Sequence, residues 1–217
     1  MKSDDMLKAD ISRELAWDPA IHAAQVGVAV KDGVVTLTGH LDTYAEKFAI
    51  EKAAGRVQGV KALAVEMDVR LAPNHKRNDT EIAAAAEAAF QWHTQIPADR
   101  IQVRVEKGWV TLKGEVDWDY QRQAAAKAVR ALTGVVGVSN TISLKSAVPA
   151  SDVAMRIRDA LTRHAQREAK DITVEVKGSV ATLHGKVDSW PERAAVFGAV
   201  WSAPGISSVV NELTVRP

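Results

Sequence analysis

Three aspartates at matching places in the chain are the residues whose spacing first suggests chemistry. Each stands three residues after a glycine: Asp42, Asp117 and Asp188. A repeated carboxylate could bind a cation, but such a site needs several more oxygens that converge from elsewhere. Two copies continue with a hydroxyl residue three positions before a glutamate: Thr43 with Glu46, and Ser189 with Glu192. Because that spacing is typical of a capping box, we interpret the aspartates as the approach to a helix and predict no metal site.

The histidines form no catalytic or metal-binding pattern. They fall at unrelated places in the chain: His22, His40, His75, His93, His164 and His184. No His-Glu-x-x-His or His-x-His spacing is present, and there is no Gly-x-Ser-x-Gly motif for a nucleophilic serine. The chain also has no cysteine, which removes thiol catalysis and disulfides. We therefore predict a protein that is not an enzyme, with no catalytic residue and no cofactor.

The overall composition excludes two further classes. Among 217 residues, 28 Lys and Arg balance 27 Asp and Glu, so no strong field attracts nucleic acid. The apolar runs are far shorter than the roughly 20 residues of a membrane-spanning helix. The N-terminal stretch MKSDDMLKADISRELAW has the pattern of an amphipathic helix and lacks the features of a signal peptide. We expect a cytoplasmic protein, or a periplasmic one if a signal peptide has been removed.

An internal repeat is visible from the glycines. Gly39 and Gly59 recur 75 residues later as Gly114 and Gly134, and these recur 71 residues further on as Gly185 and Gly205. The stretches KDGVVTLTGHLD, EKGWVTLKGEVD and VKGSVATLHGKVD accompany them. Because Gly178 and Gly185 are one residue further apart than Gly108 and Gly114, we predict an insertion in the third copy, as a bulge or a longer turn.

Each copy has the same sequence of periodic patterns. Apolar residues four apart indicate a first helix, and alternating residues then indicate two strands. The helix positions in the three copies are Leu7, Ile11 and Leu15; Ile82, Ala86 and Phe90; and Val153, Ile157 and Leu161. The first-strand positions are Val26, Val28 and Val30; Ile101, Val103 and Val105; and Ile172, Val174 and Val176. Asp79 and Ser151 suit the N-caps of the later first helices.

Glycines separate the remaining elements. Gly33, Gly108 and Gly178 suit a tight hairpin turn between the first two strands. Gly39, Gly114 and Gly185 are expected to end the second strand at a bend or a close backbone approach. A second helix with small inward residues follows, and Gly59, Gly134 and Gly205 suit its C-cap. A third strand is predicted at 63–69, 138–144 and 209–215.

The predicted fold class is α+β. We expect three tandem αββαβ units, at residues 1–71, 77–146 and 150–217. Each unit should be a three-stranded mixed sheet with both helices on one face, because the hairpin is antiparallel and the second helix is a crossover. Units of about 60 residues are marginal alone, so we expect them to dock against one another.

This organisation resembles the BON domain, the family of bacterial osmotically inducible and nodulation proteins. The resemblance rests on the order of the elements, the repeat glycines and the final strand, as in GVVGVSNTISL and GISSVVNELTV. Asn140 and Asn211 of that strand correspond to Val65 in the first unit. The resemblance implies a non-enzymatic, stress-associated role in which the protein docks phospholipid surfaces or protein partners. A small-ion or small-ligand sensor and a purely structural scaffold are the alternatives.

Comparison of the three second helices identifies one candidate binding surface. The outward positions carry Lys47, Glu51 and Gly55 in the first unit and Arg122, Ala126 and Arg130 in the second. The third unit carries Arg193, Phe197 and Trp201 instead, so we expect two large exposed rings beside an arginine. This trio either docks against a neighbouring unit or a second chain, as in a homo-oligomer, or binds lipid or a partner.

The other tryptophans are assigned by their phase. Trp109 follows the hairpin turn and is out of phase with the inward Val110, so it should face away from its own core and is a further candidate for the binding surface. Trp17 and Trp92 stand at equivalent ends of the first helices. Since indole area is large, we expect both to pack between elements.

Overall fold

The structure, a computed structural model, describes residues 2–145, 153–164 and 172–216. Five kinds of element recur three times in the same order. The first unit contains α1 (Asp4–Trp17), β1 (Val26–Lys31), β2 (Val34–Leu41), α2 (Tyr44–Arg56) and β3 (Ala62–Val69). The second contains α3 (Asp79–Trp92), β4 (Ile101–Glu106), β5 (Trp109–Val116), α4 (Asp119–Arg130), β6 (Gly137–Asn140) and β7 (Ser143–Leu144). The third contains α5 (Val153–His164), β8 (Ile172–Lys177), β9 (Val180–Val187), α6 (Trp190–Trp201) and β10 (Ser208–Val215).

Each unit is a mixed sheet with its hairpin antiparallel and its last strand parallel. In the first unit β2 is the central strand. Its residue Val35 lies opposite Val30 of β1 on one side and opposite Leu63 of β3 on the other. Val35 and Leu37 are buried against the helices, while the alternate threonines of β2 lie on the outer face. The first helices bury the residues four apart, as in Leu7, Ile11 and Leu15. The α+β fold of three αββαβ units is therefore confirmed.

The hairpin turns correct the insertion expected in the third unit. Asp32 and Gly33 both have positive φ, as do Lys107 and Gly108, which is the pattern of a type I′ turn. In the third unit Lys177 pairs with Val180, so the loop again has two residues and contains no insertion. Gly178 occupies the first turn position with φ of 61°, which is the type II′ arrangement. The glycine has moved one position within a turn of unchanged length.

The glycines after the hairpin lie inside the second strands and do not end them. β2 continues past Gly39 to Leu41, and β5 continues past Gly114 to Val116. The close backbone approach is confirmed, because a Cβ on Gly39 would collide with the carbonyl oxygen of Gln25. The expected strand ends were therefore wrong by two residues. A glycine lets the backbones approach closely without ending the strand.

Two capping assignments also change. The N-cap of α3 is Asn78, whose Oδ1 accepts from Glu81 N at 2.8 Å, and not Asp79. Asp79 instead accepts from the backbone N–H groups of Lys107 and Gly108, at 2.8 and 2.9 Å, which ties the helix to the hairpin turn. Ser151, expected to cap α5, lies outside the described residues. The C-caps are Val57, Ala131 and Ser202, so the repeat glycines follow them within a turn: Gly59, Gly134 and Gly205.

The last strand of the second unit is broken, which corrects the continuous strand expected at 138–144. Thr141 and Ile142 separate β6 from β7, and both the N–H and the hydroxyl of Thr141 donate to the carbonyl of Leu112. Asn140 donates from Nδ2 to the carbonyl of Arg122 at 2.9 Å and accepts from Ile142 N at 3.3 Å. These side-chain bonds satisfy backbone groups that a regular ladder would otherwise pair.

The units dock mainly through their second helices. The guanidinium carbon of Arg130 lies 3.5 Å from the ring centroid of Phe48, which joins the second unit to the first. Arg122 stands 4.2 Å over the ring of Trp201, which joins the second unit to the third. The indole N–H of Trp190 donates to the carbonyl of Val60, which joins the third unit to the first. The expected docking of units is confirmed, and the buried residues of the second and third units form one continuous cluster.

Candidate binding groove

The trio predicted on the third unit lies largely within the junction of units. Trp201 is only 7% exposed, so the exposure expected of it was wrong. Its ring packs edge-on against Phe197, with centroids 5.9 Å apart, beneath Arg122 of the second unit. Phe197 and Arg193 are half-buried, and Arg193 stands 5.0 Å over the ring of Trp190. The pair of Arg122 and Trp201, which crosses from the second unit to the third, favours docking between units, the first of the two alternatives.

Trp109 faces away from the core of its own unit, as its phase predicted. The side chain is 49% exposed, and its Nε1 donates to Ser139 Oγ at 2.9 Å. The ring covers Gly137 on the neighbouring strand, where a Cβ would collide with it. The indole is therefore fixed on the outer face of the sheet.

Trp17 and Trp92 project from the helix ends, so the packing expected of them was wrong. They are 85% and 89% exposed. Each stands two residues after the last buried residue of its helix, Leu15 or Phe90. Two helical steps rotate a side chain by about 200°, which turns both indoles away from the sheet.

The repeated aspartates approach helix caps, as predicted. Thr43 Oγ1 accepts from Glu46 N at 3.2 Å, and Ser189 Oγ accepts from Glu192 N at 3.3 Å. The glutamates do not complete a reciprocal capping box, because Glu46 accepts from His22 and Glu192 from Asp188 N. Asp117 and Asp188 pair with Arg100 and Arg216, while Asp42 is exposed. Within the described part of the chain, no three His, Asp or Glu side chains converge as a metal site would require.

A groove of about 700 Å³, the aromatic groove, lies between the second and third units. The residue after α3, the start of α4 and the end of α6 form its walls. Five of its aromatic or polar lining residues come from α4 and the position before it: Trp118, Asp119, Tyr120, Gln123 and Lys127. His93 closes one side, and Trp201 forms part of the other. Trp118 is 40% exposed and Tyr120 is 53% exposed, so both rings are open to a ligand or a surface.

Trp118 occupies the N-cap of α4, where the other units have a hydroxyl residue. An indole cannot accept the backbone bond that Thr43 and Ser189 accept. Gln121 compensates in part, because its Oε1 accepts from the N–H groups of both Asp117 and Trp118. The second unit thus lacks a preferred cap at the position where it exposes an indole.

The groove has a weakly positive character. Its only carboxylate among the described lining residues, Asp119, is paired with Arg122. In the described part of the chain no carboxylate pairs with Lys127. Within the same part, Nε1 of the buried Trp201 has no hydrogen-bond acceptor. Aromatic rings beside an unpaired ammonium can bind an amphipathic anionic surface.

Where the first two units meet, a carboxyl group and a guanidinium have shifted pKa values. Burial raises the pKa of Glu51, although Lys47 and Arg130 act in the opposite direction. Burial also lowers the pKa of the Arg130 guanidinium, opposed by Tyr44 and Glu51. At this junction, the attraction between opposite charges therefore does not fully offset the cost of removing Glu51 and Arg130 from water.

Sequence reasoning missed Trp118 and Tyr120, although the repeat contains a signal for them. With the offsets of 75 and 71 residues, Trp118 corresponds to Thr43 and Ser189, and Tyr120 to Ala45 and Pro191. Two aromatic residues therefore replace small or cap-forming ones in a single copy. We compared the three copies only along the outward face of the second helix. The same comparison at the start of that helix identifies Trp118 and Tyr120.

None of the described helices combines the length and hydropathy needed to cross a bilayer. The family described as BON domain matches the chain at residues 3–70, 78–146 and 149–217. The osmotically-inducible protein Y of Escherichia coli is 26% identical over 146 residues, which is 65% of this chain and 73% of that protein.

Two solved structures show weak likenesses. The C-terminal domain of CdsD, a structural protein of the type III secretion system of Chlamydia trachomatis, has a TM-score of 0.28 at 15% identity, with all of both chains covered. The periplasmic domain of PrgH has a TM-score of 0.22 at 9% identity, over 89% of this chain and 96% of that one.

Proposed function

The chain belongs to the BON domain family, and from that premise we propose that it is a non-enzymatic, stress-associated protein that docks on phospholipid surfaces. Its relative in Escherichia coli is named an osmotically-inducible protein, which supports the association with stress. The groove at the start of α4 is the proposed docking surface. Either the cytoplasm or the periplasm would give the protein access to such a surface.

The observation that carries the proposal is the set of open aromatic rings at the groove. Trp118 and Tyr120 line it, and Trp92 directly precedes His93 on its wall. Trp and Tyr are suited to the headgroup level of a bilayer, because each combines an apolar ring with a polar tip. Lys127 adds a positive charge that suits anionic lipid.

The near-neutral net charge sets how this docking should behave. With 28 basic and 27 acidic residues, the whole chain is only weakly attracted to an anionic surface. We therefore expect insertion of the rings to supply most of the binding energy, and salt to weaken binding only modestly. A protein partner that buries the same rings is the competing occupant, and the experiment separates the two.

The test is co-sedimentation of the full chain with vesicles of mixed phosphatidylcholine and phosphatidylglycerol. Removal of Trp92 and Tyr120 as W92A/Y120A should weaken binding at least tenfold, since each ring can contribute about 1.5 kcal/mol or more on burial. Trp17→Ala is the matched control, because Trp17 is the exposed equivalent of Trp92 in the first unit.

Equal binding by W92A/Y120A and wild type would contradict the proposal. So would a loss of the same size in Trp17→Ala, because binding would then depend on any exposed indole. No binding of the wild type to these vesicles would favour a protein partner at the groove.

A further inference from the structure

The first strand of the second unit has an open edge. β4 lies at the outside of its sheet and pairs only with β5 among the described residues. A two-residue hairpin is closed by a hydrogen-bonded pair, here Glu106 with Trp109. Bonded positions alternate, so the backbone groups of Gln102 and Arg104 also face β5. The N–H and C=O groups of Val103 and Val105 therefore point to the open edge.

A second groove, of about 530 Å³, runs between α3 and this edge. Its apolar lining residues are Phe90, Ala98, Ile101 and Val103. A groove bounded by a helix and an open strand can hold an extended chain, whose backbone bonds to the strand while alternate side chains enter the groove. The six residues of β4 span about 20 Å, enough for a segment of similar length.

The charges beside this edge are specific to the second unit. Glu87 and Asp99 line the groove and are exposed, and within the described part of the chain no cation pairs with either. Their counterparts in the first unit are Ser12 and Ala24, which are uncharged. In the sequence of the third unit the counterparts are basic, Arg158 and Lys170. The acidic pair is therefore not a requirement of the fold.

We propose that the edge of β4 binds an extended basic segment of a partner protein as an added strand. The backbone of the segment bonds to Val103 and Val105, its apolar side chains enter the groove beside Phe90, and its basic side chains lie near Glu87 and Asp99. This site is separate from the aromatic groove, so it does not depend on the proposed lipid docking.

The probe is a fluorescein-labelled, end-capped Lys-Val-Lys-Val-Lys-Val peptide, and its binding to the full chain is measured by fluorescence anisotropy. Val103→Pro removes one outward N–H and should weaken binding about tenfold or more. Val28→Pro is the matched control, because it makes the same change at the equivalent edge of the first unit, and it should bind as wild type. E87Q/D99N should weaken binding several-fold and reduce its salt dependence.

Two measurements on the unaltered protein keep the proposal testable if Val103→Pro fails to fold. Methylation of alternate backbone nitrogens in the peptide should abolish binding, because it removes the N–H groups with which one edge of the peptide would bond to β4. Amide hydrogen exchange should slow at Val103 and Val105 when the peptide binds. A Glu-Val-Glu-Val-Glu-Val peptide should not bind.

Three outcomes would overturn the proposal. One is no binding of the Lys-Val peptide to wild type. Another is binding that survives methylation of the peptide without slower exchange at the β4 amides, which would indicate a nonspecific charge contact. The third is self-association of the chain that Val103→Pro removes and that excludes the peptide, because the occupant would then be a second copy.

Discussion

Trp118 stands at a position where the other two units have a helix-capping hydroxyl residue. The first and third units begin their second helix with Thr43 and Ser189, whose oxygens accept a backbone bond. The second unit has an exposed indole at that position and uses Gln121 for a different pair of donors. Because hydroxyl residues are among the best N-caps, this exchange costs stability at the site where the groove is formed.

Replacement of Trp118 by serine should therefore change stability and binding in opposite directions. A serine cap is expected to raise the free energy of unfolding by about 1 kcal/mol, measured by urea denaturation. The same variant should bind vesicles less well, because one groove ring is lost. Ser189→Ala serves as a control, with an expected loss of about 1 kcal/mol. A less stable Trp118→Ser protein with unchanged vesicle binding would contradict both halves of this prediction.

At the scale of the elements, the sequence predicts what is periodic and misses what depends on contacts. The buried stripe of α1 and the alternation of β1 follow from spacing alone. The third hairpin was predicted wrongly because the spacing of glycines does not distinguish an inserted residue from a glycine that changes its turn position. Similarly, the break after Asn140 depends on a bond to the carbonyl of Arg122, on a helix distant in sequence.

Lys107 provides a test of the turn assignment. Its φ of 50° lies in the left-handed region, which lysine adopts less readily than asparagine. Lys107→Asn should therefore raise the free energy of unfolding by about 0.5–1 kcal/mol. Lys177→Asn is the control, since Lys177 ends β8 before a type II′ turn. Equal effects of the two substitutions would contradict the assignment of different turn types.

For the whole molecule, the junctions of the units determine which surfaces are exposed. Trp201 differs from its counterparts Gly55 and Arg130 in sequence, but only the neighbouring Arg122 shows that it is covered. No periodicity in one unit specifies which face meets another unit. Comparison of the copies identified Trp201 as unusual, but the structure shows that it is covered, while Trp118 and Tyr120, which that comparison missed, remain open.

The junction of the first two units should make stability depend on pH through Glu51. Burial holds the pKa of Glu51 above its ordinary value of 4.5. The protonated form is therefore favoured by folding, and this contribution is present below pH 4.5 and is lost as pH rises through the raised pKa. Glutamine mimics the protonated form, so Glu51→Gln should gain stability relative to wild type as pH rises towards 7.

Urea denaturation of both proteins across this pH range measures the effect. Glu66→Gln, which changes an exposed glutamate on the outer face of the first sheet, controls for the loss of one negative charge. A stability difference between Glu51→Gln and wild type that stays constant with pH would show that burial does not govern this carboxyl.

The proposed contact between lipid and the aromatic groove of the second unit can be tested with a single dye. Because the chain has no cysteine, one introduced thiol can be labelled with an environment-sensitive dye without competing sites. Gln123→Cys places the dye in the groove, and Ala194→Cys places it at the equivalent exposed position of the third unit.

The measurement is the emission of each dye, and its quenching by aqueous iodide, before and after addition of vesicles of mixed phosphatidylcholine and phosphatidylglycerol. If the groove meets lipid, we expect a blue shift and protection from iodide for the dye at position 123, with neither change at position 194. Equal responses at the two positions, or no response at position 123 while the protein sediments with the vesicles, would contradict the proposed contact.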